Sequence, residues 1–256
     1  MTHPFFSPAR PRVLAHRGFV PPDAEGIVEN SFAAFAAAHA AGVAYVESDC
    51  HVSADGTVIL FHDADLARVA DDRRSVAEVG DRELEALMAD RGGLITLSQA
   101  LEAFPTLRFN LDVKAEGAAE TVGRVIAPHA DRVLLTSFSE RRRIAAMRSA
   151  SQLGSLPATS AGTVRVAAFV VAASIGMPWL IRRVLRGIDA IQVPERRGPV
   201  RVVSPRLIHA AHRAGVEVHV WTVNDADDMR RLLAAGVDGL VTDRIDRALA
   251  VINDSR

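Results

Sequence analysis

Short β-branched runs alternate with alanine-rich stretches of helical period along almost the whole chain. Eight runs read as strands: 13–16, 45–49, 108–113, 132–137, 153–159, 188–193, 216–222 and 238–242. A ninth, 57–62, follows the second run through the tight-turn pair Asp55-Gly56 and reads as a hairpin extension. Helical patterns fill the gaps at 31–41, 98–104, 117–127, 140–149, 163–175, 178–186, 205–213 and 226–235. The first has Asn30 or Ser31 as its cap and Gly42 as its stop. Strands that alternate with helices imply a parallel sheet covered by helices. Eight such units predict closure into an α/β fold of the TIM (β/α)8 barrel type, with a hairpin or insertion after the second strand. The charge-rich segment 63–93 has no clear strand and is expected to be that insertion, or a lid.

Composition adds bounds. The chain has 256 residues, 49% of them hydrophobic, which suits one domain spanning 1–256. The net charge of -1 gives no overall basic field, so no nucleic-acid partner is expected. A single cysteine, Cys50, excludes an internal disulfide and a multi-cysteine zinc site. Residues 1–12 lack the basic start and apolar run of a signal peptide, so a cytoplasmic location is expected. The longest uncharged stretch, 166–181, is too short to span a bilayer and is broken by Pro178. It reads as buried helix. The alternative is a weak membrane-surface contact over 166–186, helped by Arg182, Arg183 and Arg186, which otherwise read as a solvated face, as do Arg141, Arg142 and Arg143. Nothing in the chain specifies an oligomer.

In a barrel of this kind the active site lies at the C-terminal ends of the strands. The residues there are polar. The first strand ends in His16-Arg17-Gly18, the second carries Glu47 and Asp49, and the hairpin ends in His62-Asp63. The third carries Asp112 and Lys114, the seventh ends in Trp221-Thr222-Val223-Asn224 and the eighth in Thr242-Asp243. Residues two apart on a strand share a face, so Glu47 with Asp49, and Asp112 with Lys114, point the same way. Three carboxylates suit a hard divalent cation, Mg²⁺ or Ca²⁺. Two histidines supply an acid and a base near neutral pH. Arg17 suits two-point binding of a phosphate, and Lys114 adds positive charge where negative charge develops. Cys50 has the opposite parity and should face the helices. His219 should lie deeper in the barrel as a structural residue, and His51 is a weak candidate for the mouth.

With these residues the chain resembles the glycerophosphodiester phosphodiesterase family. The family's first signature is met by His16-Arg17-Gly18 with Glu29-Asn30. The second is met by Glu47, Asp49, Asp55-Gly56 and His62-Asp63, and the third by Asn110-Leu111-Asp112-Val113-Lys114. Ser137-Phe138, Trp221-Thr222-Val223-Asn224 and Gly236-Val237-Asp238-Gly239 with Thr242-Asp243 resemble the later blocks. The resemblance implies metal-dependent cleavage of a small glycerophosphodiester to sn-glycerol 3-phosphate and an alcohol, through a cyclic phosphate. It implies His16 and His62 as the acid/base pair and Glu47, Asp49 and Asp112 as metal ligands. It implies Arg17 and Lys114 on the phosphate, and Glu29 and Trp221 in the pocket. Two positions depart from the pattern: Asp112 stands where many members have Glu, and Val28 where proline is usual. Asp at that position also resembles sphingomyelinase D-like enzymes. A lysophospholipase D-like or sphingomyelinase D-like activity on a lipid head group, and a non-catalytic phosphodiester-binding barrel, are therefore the alternatives.

Overall fold

The computed structural model describes residues 3–254. The chain lays down β1 (Arg12–His16), α1 (Phe32–Ala40), β2 (Tyr45–Val52), β3 (Val58–Leu60), α2 (Ala67–Ala70), α3 (Asp81–Met88), α4 (Leu97–Ala103) and β4 (Arg108–Val113). It continues with α5 (Ala119–Ile126), β5 (Val133–Thr136), α6 (Glu140–Gln152), β6 (Ala158–Thr159), α7 (Thr163–Ile175) and α8 (Pro178–Val184). Then come β7 (Ala190–Pro194), β8 (Arg196–Arg197), β9 (Val200–Arg201), α9 (Pro205–Arg213), β10 (Glu217–Trp221), α10 (Ala226–Ala234), β11 (Gly239–Thr242) and α11 (Ile245–Asn253). The strand order is β6-β5-β4-β2-β1-β11-β10-β7, all parallel, with β3 antiparallel on β2. One parallel bridge, Ser160 to Ala190, joins β6 to β7. The expected eight-stranded barrel with its hairpin after the second strand is therefore present, closed at one thin seam.

Local chemistry explains the helix starts. Ser31, Ser139 and Ser204 each accept the backbone N–H three residues on, and Thr96 forms a reciprocal capping box with Gln99. Four differences from the sequence expectation have physical reasons. The helix α11 was not expected; Arg244 at its start makes no side-chain cap, so the usual start signal is missing. The strand 153–159 shrinks to Ala158–Thr159 because α6 runs on to Gln152 and a turn follows it, in which the N–H groups of Leu153, Gly154 and Ser155 donate back to the carbonyls of Ala150 and Ser151. The short β8–β9 ribbon was also unforeseen; four residues around a turn carry no periodicity. Arg143 is not on a solvated face: it is buried and bonds Glu140 and Thr159.

The apolar interior divides in three. The main layer lies between strands and helices and includes Cys50, on the outer face of β2 as its parity predicts. A satellite cluster of Ile59, Phe61, Leu66, Val76, Leu84 and Met88 packs the insertion after β3 against the hairpin. A small cluster fills the barrel itself, where Phe5 and Phe6 meet Leu14, Tyr45, Leu134 and Val241. The stretch 166–181 is a correction. Phe169, Ala172 and Ala173 are buried, but Val171, Ile175 and Trp179 are each 58% exposed, so the segment is only half buried. Among the described residues no helix is long and apolar enough to cross a membrane.

The N-terminal end of the barrel is held by charge. Arg12, 3% exposed, donates two hydrogen bonds to Glu217 at 2.8 Å each, and others to the Tyr45 hydroxyl and the carbonyls of Phe6 and Pro8. Fully buried His219 lies 3.1 Å from Glu217 on the same network, the deep structural position expected for it. Burial opposes the charge on Glu217, but the hydrogen bonds from Arg12 and His219 outweigh it and hold the carboxyl at about 2. A depressed carboxyl stabilises the fold above its unfolded value, 4.5, and the stabilisation is lost as pH falls from there towards 2. Urea unfolding at stepped pH should therefore show the native protein losing about 3 kcal/mol more than Glu217→Gln across that window. Parallel acid curves for the two proteins would contradict this role.

Candidate active site

The strand register assembles the mouth. His16 on β1 lies beside Glu47 on β2, and Asp49 on β2 lies beside Asp112 on β4. Partners in a parallel register point the same way, so the pairing alone brings a histidine and three carboxylates onto one wall. The turn after β1 is tight. Arg17 has φ 57° and Gly18 φ 84°, and a Cβ on Gly18 would lie 2.9 Å from the backbone and side chain of Ala34. Glycine is required there for α1 to close on the turn. The Arg17 N–H bonds the Glu47 carbonyl at 2.9 Å, which carries the ladder one residue past β1.

Each histidine is held by an aspartate through Nδ1. His16 Nδ1 lies 2.7 Å from Asp243 Oδ1, and His62 Nδ1 lies 2.7 Å from Asp63 Oδ1. Asn224 Nδ2 donates to the other oxygen of Asp243 at 2.7 Å, and Arg68 Nε to the other oxygen of Asp63 at 2.6 Å. An aspartate on Nδ1 fixes the ring's orientation and leaves Nε2 for proton transfer. His16 Nε2 is 3.9 Å from Glu47. Burial works against charge on the His16 ring, yet the bond to Asp243 and the charge of Glu47 prevail and raise its pKa.

Between the histidines runs a chain of charges. Glu29 Oε1 accepts from Arg17 at 2.7 Å and from Arg68 at 2.5 Å. Arg17 Nε stands 3.5 Å from Asp49 Oδ2. Lys114 Nζ sits 3.0 Å from Asp49 Oδ1 and 2.7 Å from Asp112 Oδ2. The ammonium also lies 5.0 Å from the centre of the Phe138 ring, which meets Trp221 edge-on at 6.0 Å. Every expected site residue thus belongs to one contact network. Glu29 differs in its part: it holds two arginines rather than facing the pocket alone. His51 is buried beside the site, with its Nε2 3.2 Å from the His62 carbonyl, and burial lowers its pKa although the charge of Asp49 opposes this.

The three carboxylates are a stressed group. Burial, then the charge of Asp49, raises Glu47 to about 8. Burial also raises Asp112, although Lys114 opposes it. Asp49 Oδ2 and Asp112 Oδ1 are buried with no hydrogen-bond partner. Orphaned carboxylate oxygens in excess of their counter-charges fit a hard cation. The fit is incomplete in one respect. Among the described residues no three Asp, Glu, His or Cys side chains converge tightly enough to hold an ion, because Lys114 draws Asp49 and Asp112 to its own ammonium.

Sequence reasoning gave no role to Asp63, Asp243, Arg68, Asn224 or Phe138. Asp63 and Asp243 each follow directly on a strand-end motif, which was the available signal. Arg68 had none, because it comes from α2 in the insertion.

Comparison with known proteins agrees with this geometry. A model of the glycerophosphoryl diester phosphodiesterase family matches residues 16–247. The chain is 38% identical to "Probable glycerophosphodiester phosphodiesterase 2" of Mycobacterium tuberculosis, over 91% of this chain and 87% of that one. It superposes on the glycerophosphodiester phosphodiesterase of Thermotoga maritima with a TM-score of 0.72, at 24% identity, covering 96% of this chain and 99% of that one. An Oleispira antarctica phosphodiesterase in complex with its product sn-glycerol-3-phosphate gives a TM-score of 0.71, at 22% identity, covering 95% and 97%. The charged wall at the barrel mouth and the match along its length lead to one assignment: the chain belongs to the glycerophosphoryl diester phosphodiesterase family.

Proposed function

We propose that the protein hydrolyses small glycerophosphodiesters to sn-glycerol 3-phosphate and an alcohol, with His16 and His62 as the acid/base pair. The observation that carries this is the pair of histidines, each anchored at Nδ1 by an aspartate, at one mouth with Arg17 and Lys114. A site that only bound a phosphodiester would need the cations but not two oriented imidazoles. The product held by the Oleispira antarctica enzyme supports the choice of substrate.

The chemistry follows from the groups present. Arg17 and Lys114 bind the phosphate oxygens and offset charge that grows at phosphorus. One imidazole takes the proton from the neighbouring glycerol hydroxyl as that oxygen attacks. The other gives its proton to the departing alkoxide. The internal attack forms a cyclic phosphate and needs no second molecule, so positioning removes much of the barrier. Water then opens the ring with the two imidazoles in exchanged roles. Glu47, Asp49 and Asp112 would hold one divalent cation, Mg²⁺ or Ca²⁺. When bound, such an ion polarises a phosphoryl oxygen and orients the diester.

A lipid substrate has one observation in its favour: the exposed Phe138, packed on Trp221 at the mouth, offers an apolar surface to a leaving group. Turnover of a lysophospholipid beside its deacylated counterpart separates the two readings. The glycerophosphodiester reading requires the deacylated one to be the better substrate.

Three outcomes are expected. A panel of glycerophosphodiesters crossed with Mg²⁺ and Ca²⁺ should show release of sn-glycerol 3-phosphate that a chelator abolishes; no release from any diester with either ion would overturn the proposal. His16→Ala and His62→Ala should each lower kcat by about 10²–10⁴-fold while ligand binding persists. If neither changes turnover, the acid/base assignment fails. Asp243→Asn and Asp63→Asn should lower kcat by about 10²-fold or more with KM nearly unchanged, because each lets an imidazole lose its orientation. Loss in KM alone would assign the aspartates to substrate binding.

A further inference from the structure

The outer wall formed by α7, α8 and α9 is unlike the rest of the surface. Val164, Ala168, Val171 and Ile175 recur at spacings of four, three and four along α7, and Trp179 is exposed on α8, which begins after the break at Gly176 and Met177. Val164 is 77% exposed, and Val171, Ile175 and Trp179 are 58% exposed. The opposite face of α7 is in the core through Phe169, Ala172 and Ala173. A helix apolar on both faces is normally covered on both, and at 13 residues α7 is too short to cross a bilayer.

Charge indicates what covers it. Residues 141–188 contain eight arginines and no aspartate or glutamate; Arg141, Arg143 and Arg165 pair with Glu116 or Glu140, and the others make no ion pair among the described residues. Arg182, Arg183 and Arg186 are exposed at the end of the stripe, and Arg206 and Arg213 on α9 stand across a groove of about 360 Å³ from Ile175 and Pro178. None of these five makes an ion pair among the described residues. A second copy docking face to face would set arginines against arginines across a two-fold axis, which disfavours a dimer there. Exposed apolar side chains, a tryptophan and unpaired arginines are instead the elements of an interfacial contact with anionic lipid.

We propose that the α7–α8–α9 wall docks the protein on an anionic phospholipid surface. Val171, Ile175 and Trp179 enter the boundary of the acyl chains, and Arg182, Arg183, Arg206 and Arg213 meet lipid phosphates. The stripe starts beside the mouth, where the Thr163 N–H bonds the Phe138 carbonyl, and runs down the side of the barrel. Docking on it therefore lays the barrel on its side with the mouth at the edge of the contact, open to water. The proposal does not depend on the catalytic reading.

Flotation of the intact protein with vesicles of phosphatidylcholine, with and without roughly one-third phosphatidylglycerol, tests it. Binding is expected only to the anionic vesicles and should fall as salt is raised. Arg182→Gln, Arg183→Gln and Arg206→Gln together should weaken binding on the order of a hundredfold. Val171→Ser with Trp179→Ser should also release the protein, while phosphodiesterase turnover of a soluble diester and thermal stability stay as in the native chain. Equal binding to neutral vesicles, binding unchanged in both variants, or no binding at low salt overturns the proposal. So does a dimer in light scattering that Ile175→Gln dissociates, because the wall would then be an interface between copies.

Discussion

Three carboxylates buried side by side are the constraint around which the catalytic end of this barrel is built. The pairing of β2 with β1 and β4 forces Glu47, Asp49 and Asp112 onto one wall. Burying like charges together is costly unless cations answer them. The answer here comes from Arg17, itself in the left-handed region, and from Lys114. It is only partial, since Asp49 Oδ2 and Asp112 Oδ1 accept no hydrogen bond. The same imbalance that strains the fold leaves this wall short of positive charge.

The second ring of side chains fixes the two histidines beside this wall. Arg68 ties the His62–Asp63 pair to Glu29 and, through Glu29, to Arg17. Asn224 does the equivalent for the His16–Asp243 pair from the end of β10. The insertion after β3 is therefore not merely a cover. It has its own small core and delivers one of the groups that orient a histidine. At the other end of the barrel, charge is used differently. Arg12 and Glu217 are matched and fully bonded, so they strengthen the fold without reactivity. Stability and chemistry sit at opposite ends, as barrel geometry permits.

Much of this was legible along the chain because it obeys parity. Period-two spacing on strands placed Glu47 with Asp49 and Asp112 with Lys114, and it sent Cys50 outward. The eight strands were legible because their β-branched runs are bounded by turns. What was not legible depends on contacts between distant segments. Nothing near Arg68 signals that it reaches Asp63 and Glu29. Arg143 sits in an arginine run that looks solvated, and only the approach of β6 buries it against Thr159. The helix α11 begins without a capping side chain, so the usual start signal was missing. The outer face of α7 misled for a related reason: apolar periodicity reports which residues avoid water, not what they avoid it against.

The small cluster inside the barrel bears on how the chain is made. Phe5 and Phe6 pack against Leu14 and Tyr45 but also against Leu134 and Val241. The first strand pairs with the last, Val13 opposite Leu240, and the Arg12 N–H bonds the Asp238 carbonyl. Two adjacent phenylalanines are synthesised before every strand of the barrel and have no complete binding place until β11 leaves the ribosome. Sequence separation of this size slows ring closure, because loop entropy is lost before the contact forms. During that interval the unsheltered aromatic pair is a natural handle for a chaperone, and a point where a stalled or truncated chain would begin to aggregate.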